Sequence, residues 1–194
     1  LMINQAYTRR HGASVEHAPI RYVGTDFVFN AVRQARRNFA NVGVESGSPP
    51  AGAMAEPSTI LSSLALSDLN MPLPFLDNQF NRIVSNLVIG YLQDPLFTLR
   101  ELMRVLSPNG RLVITNLKPQ ADLSQIYRNF VHLTEQEGEL EEGRKLLHNS
   151  SKIKQGESDG IFRFFNRQDL AALLTCSGAQ QTRIYSTFGN QAFI

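Results

Sequence analysis

Cysteine is almost absent from this sequence: Cys176 stands alone, so no internal disulfide can form and no thiolate cluster can hold a metal. Its place late in an apolar helical pattern points to a buried packing role. Histidine is scarce as well. His11, His17, His132 and His148 lie far apart, without metal-ligand spacing. Charge of one sign is lacking: 19 basic residues face 17 acidic ones, for a formal net charge of +2. That balance gives no electrostatic footprint for nucleic acid or an anionic membrane. No uninterrupted apolar run approaches the roughly 18 residues of a membrane span. The opening Leu1-Met2-Ile3-Asn4-Gln5 shows no signal-peptide feature, so a cytoplasmic protein is expected.

What is present suits a single domain spanning 1–194, with hydrophobic residues at 42% to build its core. Leu1–Arg10 reads as the last turns of a helix, with Gly12 past its end. Ile20–Thr25 reads as a strand with Asp26 at its exit. A helix follows over about Asn30–Ala40, with Val32, Ala35 and Phe39 on one face and Arg33, Arg36 and Arg37 on a solvated one. Asn41–Ser58 has the Gly/Pro/Ser content of a loop. Thr59–Leu66 is a second strand-like run before Asp68. Pro72–Asn78 is turn-rich, and Arg82–Val88 has the β-branched content of a strand buried on both faces.

The next helix carries clear punctuation. Asp94 suits the N-cap and Pro95 the first turn, while Leu96, Leu99, Met103 and Leu106 form an apolar face. Ser107-Pro108-Asn109-Gly110 stops it, and Arg111–Thr115 begins a strand. A polar, mainly helical section runs over about Ala121–Leu147, its acidic part Glu135–Glu142 facing solvent. Asn166 caps a last helix with Leu170, Leu173 and Leu174 inward and Gly178 at its close. Thr182–Phe188 and Gln191–Ile194 form a hairpin about Gly189-Asn190. Strand–helix alternation implies an α/β, doubly wound, mostly parallel sheet, here ending in an antiparallel hairpin.

Ligands of such sheets bind beyond the carboxyl ends of the strands. The residues to weigh are therefore Asp26 and Phe27, Asp68 and Leu69, Ser85 to Leu87, and Asn116 to Lys118. Asp26 alone serves equally as an acceptor of ribose hydroxyls or as a helix cap. The cluster Phe162, Phe164 and Phe165 suits core packing, with a substrate wall as the alternative.

The combination of segments says more. Leu73-Pro74-Phe75-Leu76-Asp77-Asn78-Gln79-Phe80-Asn81-Arg82-Ile83-Val84-Ser85-Asn86-Leu87 resembles the central signature of class I, S-adenosylmethionine-dependent methyltransferases of the type 11 group. So do Asp94-Pro95, Leu99-Arg100-Glu101-Leu102 and Arg104-Val105-Leu106-Ser107-Pro108-Asn109-Gly110-Arg111-Leu112-Val113-Ile114. Tyr22–Phe27 with Ala31–Arg36 is similar to that family's second strand and helix, and Phe188–Phe193 to its closing hairpin. The likeness spans nearly the whole chain, except the loop near Ser48 and the section from Ala121 to Gly160.

The resemblance implies S-adenosylmethionine as cofactor, with Asp26 on the ribose hydroxyls and Phe27 beside the adenine. Asp68 would accept the adenine amino group and Leu69 pack on the ring. Asn86 and Leu87 would border the methionine part and the sulfonium, with Tyr91 close by. It implies a substrate-covering section at about 118–164, where Tyr127, Arg128, Phe130 and His132 are candidates for contact with a small-molecule acceptor. Tyr91 and His132 are the candidate bases, and no metal is implied.

The sequence departs from the family pattern in three places. Asn81 replaces a usual acidic residue, and Gly90 stands beside Tyr91 where relatives often carry a histidine. No G-x-G-x-G loop occurs, although one belongs about 20 residues before the ribose acid. The first strand and that loop are therefore expected just ahead of Leu1. Two other functions compete with methyl transfer: a catalytically silent binding or scaffold domain, and a nicotinamide-dependent oxidoreductase. The Asp94–Gly110 block, the terminal hairpin and the lack of a Tyr-x-x-x-Lys pair weigh against the latter.

Overall fold

A computed structural model describes residues 20–41, 45–46, 60–122, 124 and 151–194. The chain divides into two compact units, Leu1–Asp68 and Leu69–Ile194.

In the first unit, β1 (Ile20–Asp26), β2 (Glu45–Ser46) and β3 (Ile60–Leu66) form a parallel sheet in the order β1-β3-β2. Helix α1 (Phe29–Asn41) follows β1. Parallel neighbours need a crossover of this kind. Val32, Ala35 and Phe39 are the half-buried positions of α1, as their spacing predicts, and Arg33, Arg36 and Arg37 are exposed. Phe39 meets Tyr22 of β1 edge-on, with ring centres 5.4 Å apart. Strand β2 falls where composition predicts only loop. Its pairing is through the backbone, Glu45 opposite Leu61 and Ser46 opposite Ser62, and a ladder so short leaves no side-chain pattern to read.

In the second unit, β4 (Phe80–Asn86) pairs in parallel with β5 (Leu106–Leu117). The hairpin β6 (Ser186–Thr187) and β7 (Ala192–Phe193) extends the sheet antiparallel, in the order β4-β5-β7-β6. Between the strands stand a 3-10 turn (Ile89–Tyr91), α2 (Pro95–Val105), a helical stretch at 151–158 and α3 (Arg167–Cys176). Both predicted caps are in place. Asp94 accepts from the Phe97 amide at 3.0 Å, and Asn166 from those of Gln168 and Asp169 at 2.8 and 2.9 Å. The core joins Ile89, Leu99, Leu102, Val105, Ile114, Phe165, Leu170 and Phe193. Among the described residues no helix is long and apolar enough to cross a membrane.

Four expectations need correction. The buried line of α2 is Leu99, Leu102 and Val105, with Leu96 and Met103 only half-buried. Thr98 is also buried, because its hydroxyl donates to the Leu69 carbonyl at 2.8 Å, and a satisfied polar group shifts the stripe that hydrophobicity alone suggests. Leu106 leaves the helix to open β5. The ladder then skips from Phe80–Leu106 to Arg82–Arg111, so Ser107–Gly110 bulges out of β5 instead of preceding it. Strand β4 is not covered on both faces, since Val84 is 60% exposed; β-branched runs suit half-covered strands equally well. Cys176 is exposed, because α3 turns Leu170, Leu173 and Leu174 inward and Cys176 falls off that line.

One polar assembly fixes the turn-rich segment ahead of β4 to α2. Arg104 donates to both carboxylate oxygens of Glu101 (2.9 and 2.8 Å), to Asp77 (2.7 Å), and to the carbonyls of Phe75 (2.9 Å) and Leu73 (3.0 Å). These contacts use all five donors of the guanidinium fork. Glu101 accepts in return from the Leu73 amide at 2.9 Å, and the Arg104 carbonyl from the Asn78 amide at 2.9 Å. The hydrogen bonds from Arg104 hold the Glu101 carboxyl below its ordinary value. A depressed carboxyl stabilises the fold above its unfolded pKa of about 4.3, and that contribution is lost as pH falls through the folded value. Arg104→Gln should therefore lower Tm by roughly 5 °C near neutral pH. The gap to wild type should narrow on acidification below pH ~4; a gap constant across melts from neutral to acid would refute this role of the ion pair.

Candidate functional site

The carboxyl end of the first sheet carries Asp26, Phe27 and Asp68. Asp26 is the last residue of β1, opposite Leu66 of β3, and its carbonyl accepts from the Ser67 amide at 3.0 Å. The Val28 amide donates to Asp26 Oδ1 at 2.7 Å. This local turn redirects the chain so that α1 starts at Phe29, with the Ala31 and Val32 amides bonded to the Val28 carbonyl. The Asp26 carboxylate is exposed, and Phe27 beside it is 69% exposed. Asp68 lies half-buried, two residues beyond β3.

The carboxyl end of β4 in the second unit is built more tightly. Asn86 ends β4 opposite Thr115 of β5, and the Thr115 hydroxyl donates to Asn86 Oδ1. The Leu87 amide donates to both the carbonyl and the hydroxyl oxygen of Thr115, each at 3.0 Å. Leu87 itself has φ of +55°, a left-handed conformation that is rare for a branched side chain and costs about 1–3 kcal/mol. Leu69 is half-buried at the start of this unit.

The 3-10 turn then presents Tyr91, whose ring packs edge-on against Phe162 at 4.4 Å. Phe162 in turn stacks with Phe164 at 6.4 Å. Two glycines make this docking possible. A Cβ at Gly90 would stand 3.0 Å from both the Arg163 carbonyl and the Phe164 ring, and one at Gly156 would reach Phe162 at 2.4 Å. The Arg163 amide also donates to the Gly90 carbonyl at 2.8 Å. Phe165 belongs to the core, as expected. Phe162 and Phe164 instead form an aromatic surface with Tyr91, which is 44% exposed. Burial raises the Tyr91 phenol above its ordinary pKa, so near neutral pH it keeps its proton and can donate a hydrogen bond.

Asp26, Phe27 and Asp68 thus share the carboxyl end of the first sheet, beyond β1 and β3, and Asn86, Leu87 and Tyr91 follow the end of β4. Tyr127, Arg128, Phe130 and His132 lie outside the described residues. Thr115 and Gly90 are the residues whose part sequence reasoning missed. A hydroxyl directly after the apolar run Leu112-Val113-Ile114 was the available signal for Thr115.

The family model for a methyltransferase domain matches residues 7–114, more than half of the chain. The chain belongs to that family. No curated protein sequence matches it. Among solved structures, the methyltransferase domain is similar to a SAM-dependent methyltransferase from Aquifex aeolicus, at 14% identity and a TM-score of 0.56. That match covers 99% of this chain and 85% of the other. It is also similar to a candidate methyltransferase from Bacillus halodurans (16% identity, TM-score 0.52), over 85% of this chain and 55% of that one. A third likeness is to a candidate exported protein from Bordetella parapertussis (16% identity, TM-score 0.54), covering 88% and 50% of the two chains. The chain therefore spans about half the length of the latter two proteins. At these identities the likeness is one of fold, and it agrees with the α/β class read from strand–helix alternation.

The close approach at Gly90 gives a direct test. Gly90→Ala should destabilise the protein by about 1–3 kcal/mol, since the opposing atoms include backbone. It should also raise the solvent accessibility of Phe162 and Phe164 in a footprinting experiment. An unchanged Tm with unchanged labelling would show that the turn and the aromatic segment are not in contact.

Proposed function

We propose that this methyltransferase domain transfers a methyl group from S-adenosylmethionine to a small-molecule acceptor. The observation that carries the reading is Asp26, an exposed carboxylate ending a parallel strand and followed by a tight turn into a helix. Nucleoside cofactors use an acid in that place to bind the ribose hydroxyls. The residues present fit such a cofactor. One Asp26 oxygen is tied to Val28, which fixes the carboxylate as an acceptor for hydroxyl donors, and the exposed Phe27 ring offers an apolar face for a base.

In this reading Asp26 holds the ribose, Phe27 and Leu69 pack on the adenine, and Asp68 accepts from its amino group. Asn86 and Leu87 border the methionine part. When bound, S-adenosylmethionine supplies an electrophilic methyl group on a sulfonium. The work left to the chain is alignment of the acceptor for in-line displacement, a kind of positioning that contributes about 7–11 kcal/mol in favourable systems. The aromatic surface of Tyr91 and Phe162 favours a flat or apolar acceptor. Tyr91, protonated near neutral pH, orients that acceptor by donating a hydrogen bond and does not act as the base.

Calorimetric titration of the full-length protein with S-adenosylhomocysteine should give micromolar binding, and Asp26→Ala should weaken it by more than about tenfold. A folded protein without binding would sink the enzyme reading and favour a binding or scaffold role. Once an acceptor is found, Tyr91→Phe should keep the wild-type pH profile while changing KM for the acceptor. Loss of a basic limb from the profile would instead make Tyr91 the base.

A further inference from the structure

The tightest polar arrangement at the carboxyl end of β4 centres on a residue of the neighbouring strand. Thr115 is 8% exposed, yet its hydroxyl is bonded twice to the segment that follows β4. Its oxygen accepts from the Leu87 amide at 3.0 Å. A threonine hydroxyl has a single proton to give, and here that proton goes to Asn86 Oδ1. The amide of Asn86 is then fixed in sense. Its oxygen accepts from the Thr115 hydroxyl, which leaves Nδ2, able only to donate, as the remaining polar group of this exposed side chain. The same hydroxyl, together with the Thr115 carbonyl, holds Leu87 at φ +55°. Such a conformation persists only where the surroundings over-determine it.

We propose that Thr115 is a positioning residue that presents Asn86 Nδ2 as a hydrogen-bond donor to the cofactor, in the sense suited to an acceptor such as the carboxylate of its amino-acid part. The proposal rests on the reading that Asn86 borders that part of S-adenosylmethionine. Thr115 acts through Asn86, and its bond to the Leu87 amide steadies the strand end that carries Asn86. A valine in its place keeps the shape and the strand propensity but frees the amide to rotate, and it leaves the Leu87 amide only the carbonyl bond.

The test is calorimetric titration of the full-length protein with S-adenosylhomocysteine in wild type, Thr115→Ser, Thr115→Val, Asn86→Ala and the Asn86→Ala/Thr115→Val double variant, with Tm recorded for each. Serine keeps both hydrogen bonds and should bind within about threefold of wild type, whereas valine should weaken binding about tenfold. Because Thr115 acts through Asn86, the double variant should bind about as weakly as Asn86→Ala alone. A folded Thr115→Val with wild-type affinity, or additive losses in the double variant, would overturn the proposal.

A measurement on wild type keeps the idea exposed even if the valine variant fails to fold. The side-chain amide resonances of Asn86 should shift on adding S-adenosylhomocysteine. If the ligand binds in an Asp26-dependent manner and those resonances stay still, this proposal fails and the cofactor reading survives. Absence of binding by the wild type would remove both.

Discussion

The Glu101–Arg104 pair is the constraint on which the second unit depends. It lies at the C-terminal end of α2 and reaches back to Leu73, Phe75 and Asp77, so that one guanidinium gathers a turn-rich segment whose Leu73 and Phe75 side chains also pack on the core. That segment leads directly into β4. Its anchoring places Phe80 opposite Leu106 and thereby sets the register from Arg82–Arg111 to Asn86–Thr115. A one-residue slip would turn every β4 side chain to the other face. Asn86 would then no longer stand opposite Thr115, and the hydroxyl that organises the strand end would have no partner. A surface-like ion pair seldom contributes much. This one differs because both partners also bind backbone, which converts charge into geometry.

The elements most legible in the sequence were those with chemical punctuation at their ends. Asp94-Pro95 and Asn166 announce helix starts through a side chain that can reach an amide two or three residues on, and Gly178 closes α3 with φ of +99°. All these interactions are local, so local sequence carries them. Strand β2 and the bulge at Ser107–Gly110 depend on partners far along the chain, Leu61 and Phe80, and pairing at that distance leaves no periodic trace. The buried stripe of α2 was misplaced for a related reason, since Thr98 is polar and becomes a core residue only through the Leu69 carbonyl.

The candidate site divides in the same way. The place of Asp26 at a strand exit was legible from the strand pattern, whereas its proposed role, with those of Phe27, Asp68, Leu69, Asn86 and Leu87, comes from the resemblance. Thr115 was not legible, because its importance lies in what β4 puts opposite it. The Phe162–Phe164 cluster was visible as aromatic content, but its divided use was not. Phe165 faces the core while Phe162 meets Tyr91, and that split depends on two glycines, Gly90 and Gly156, that admit the rings.

These details constrain the chemistry the site can support. Tyr91 sits on a turn whose neighbours Ile89 and Gly90 are buried, and partial burial raises its phenol above the ordinary value. A phenol that keeps its proton can donate a hydrogen bond but cannot act as a base. The second unit surrounds that turn with held parts: a strand end fixed by Thr115, a turn closed on Phe164, and a loop fastened by Arg104.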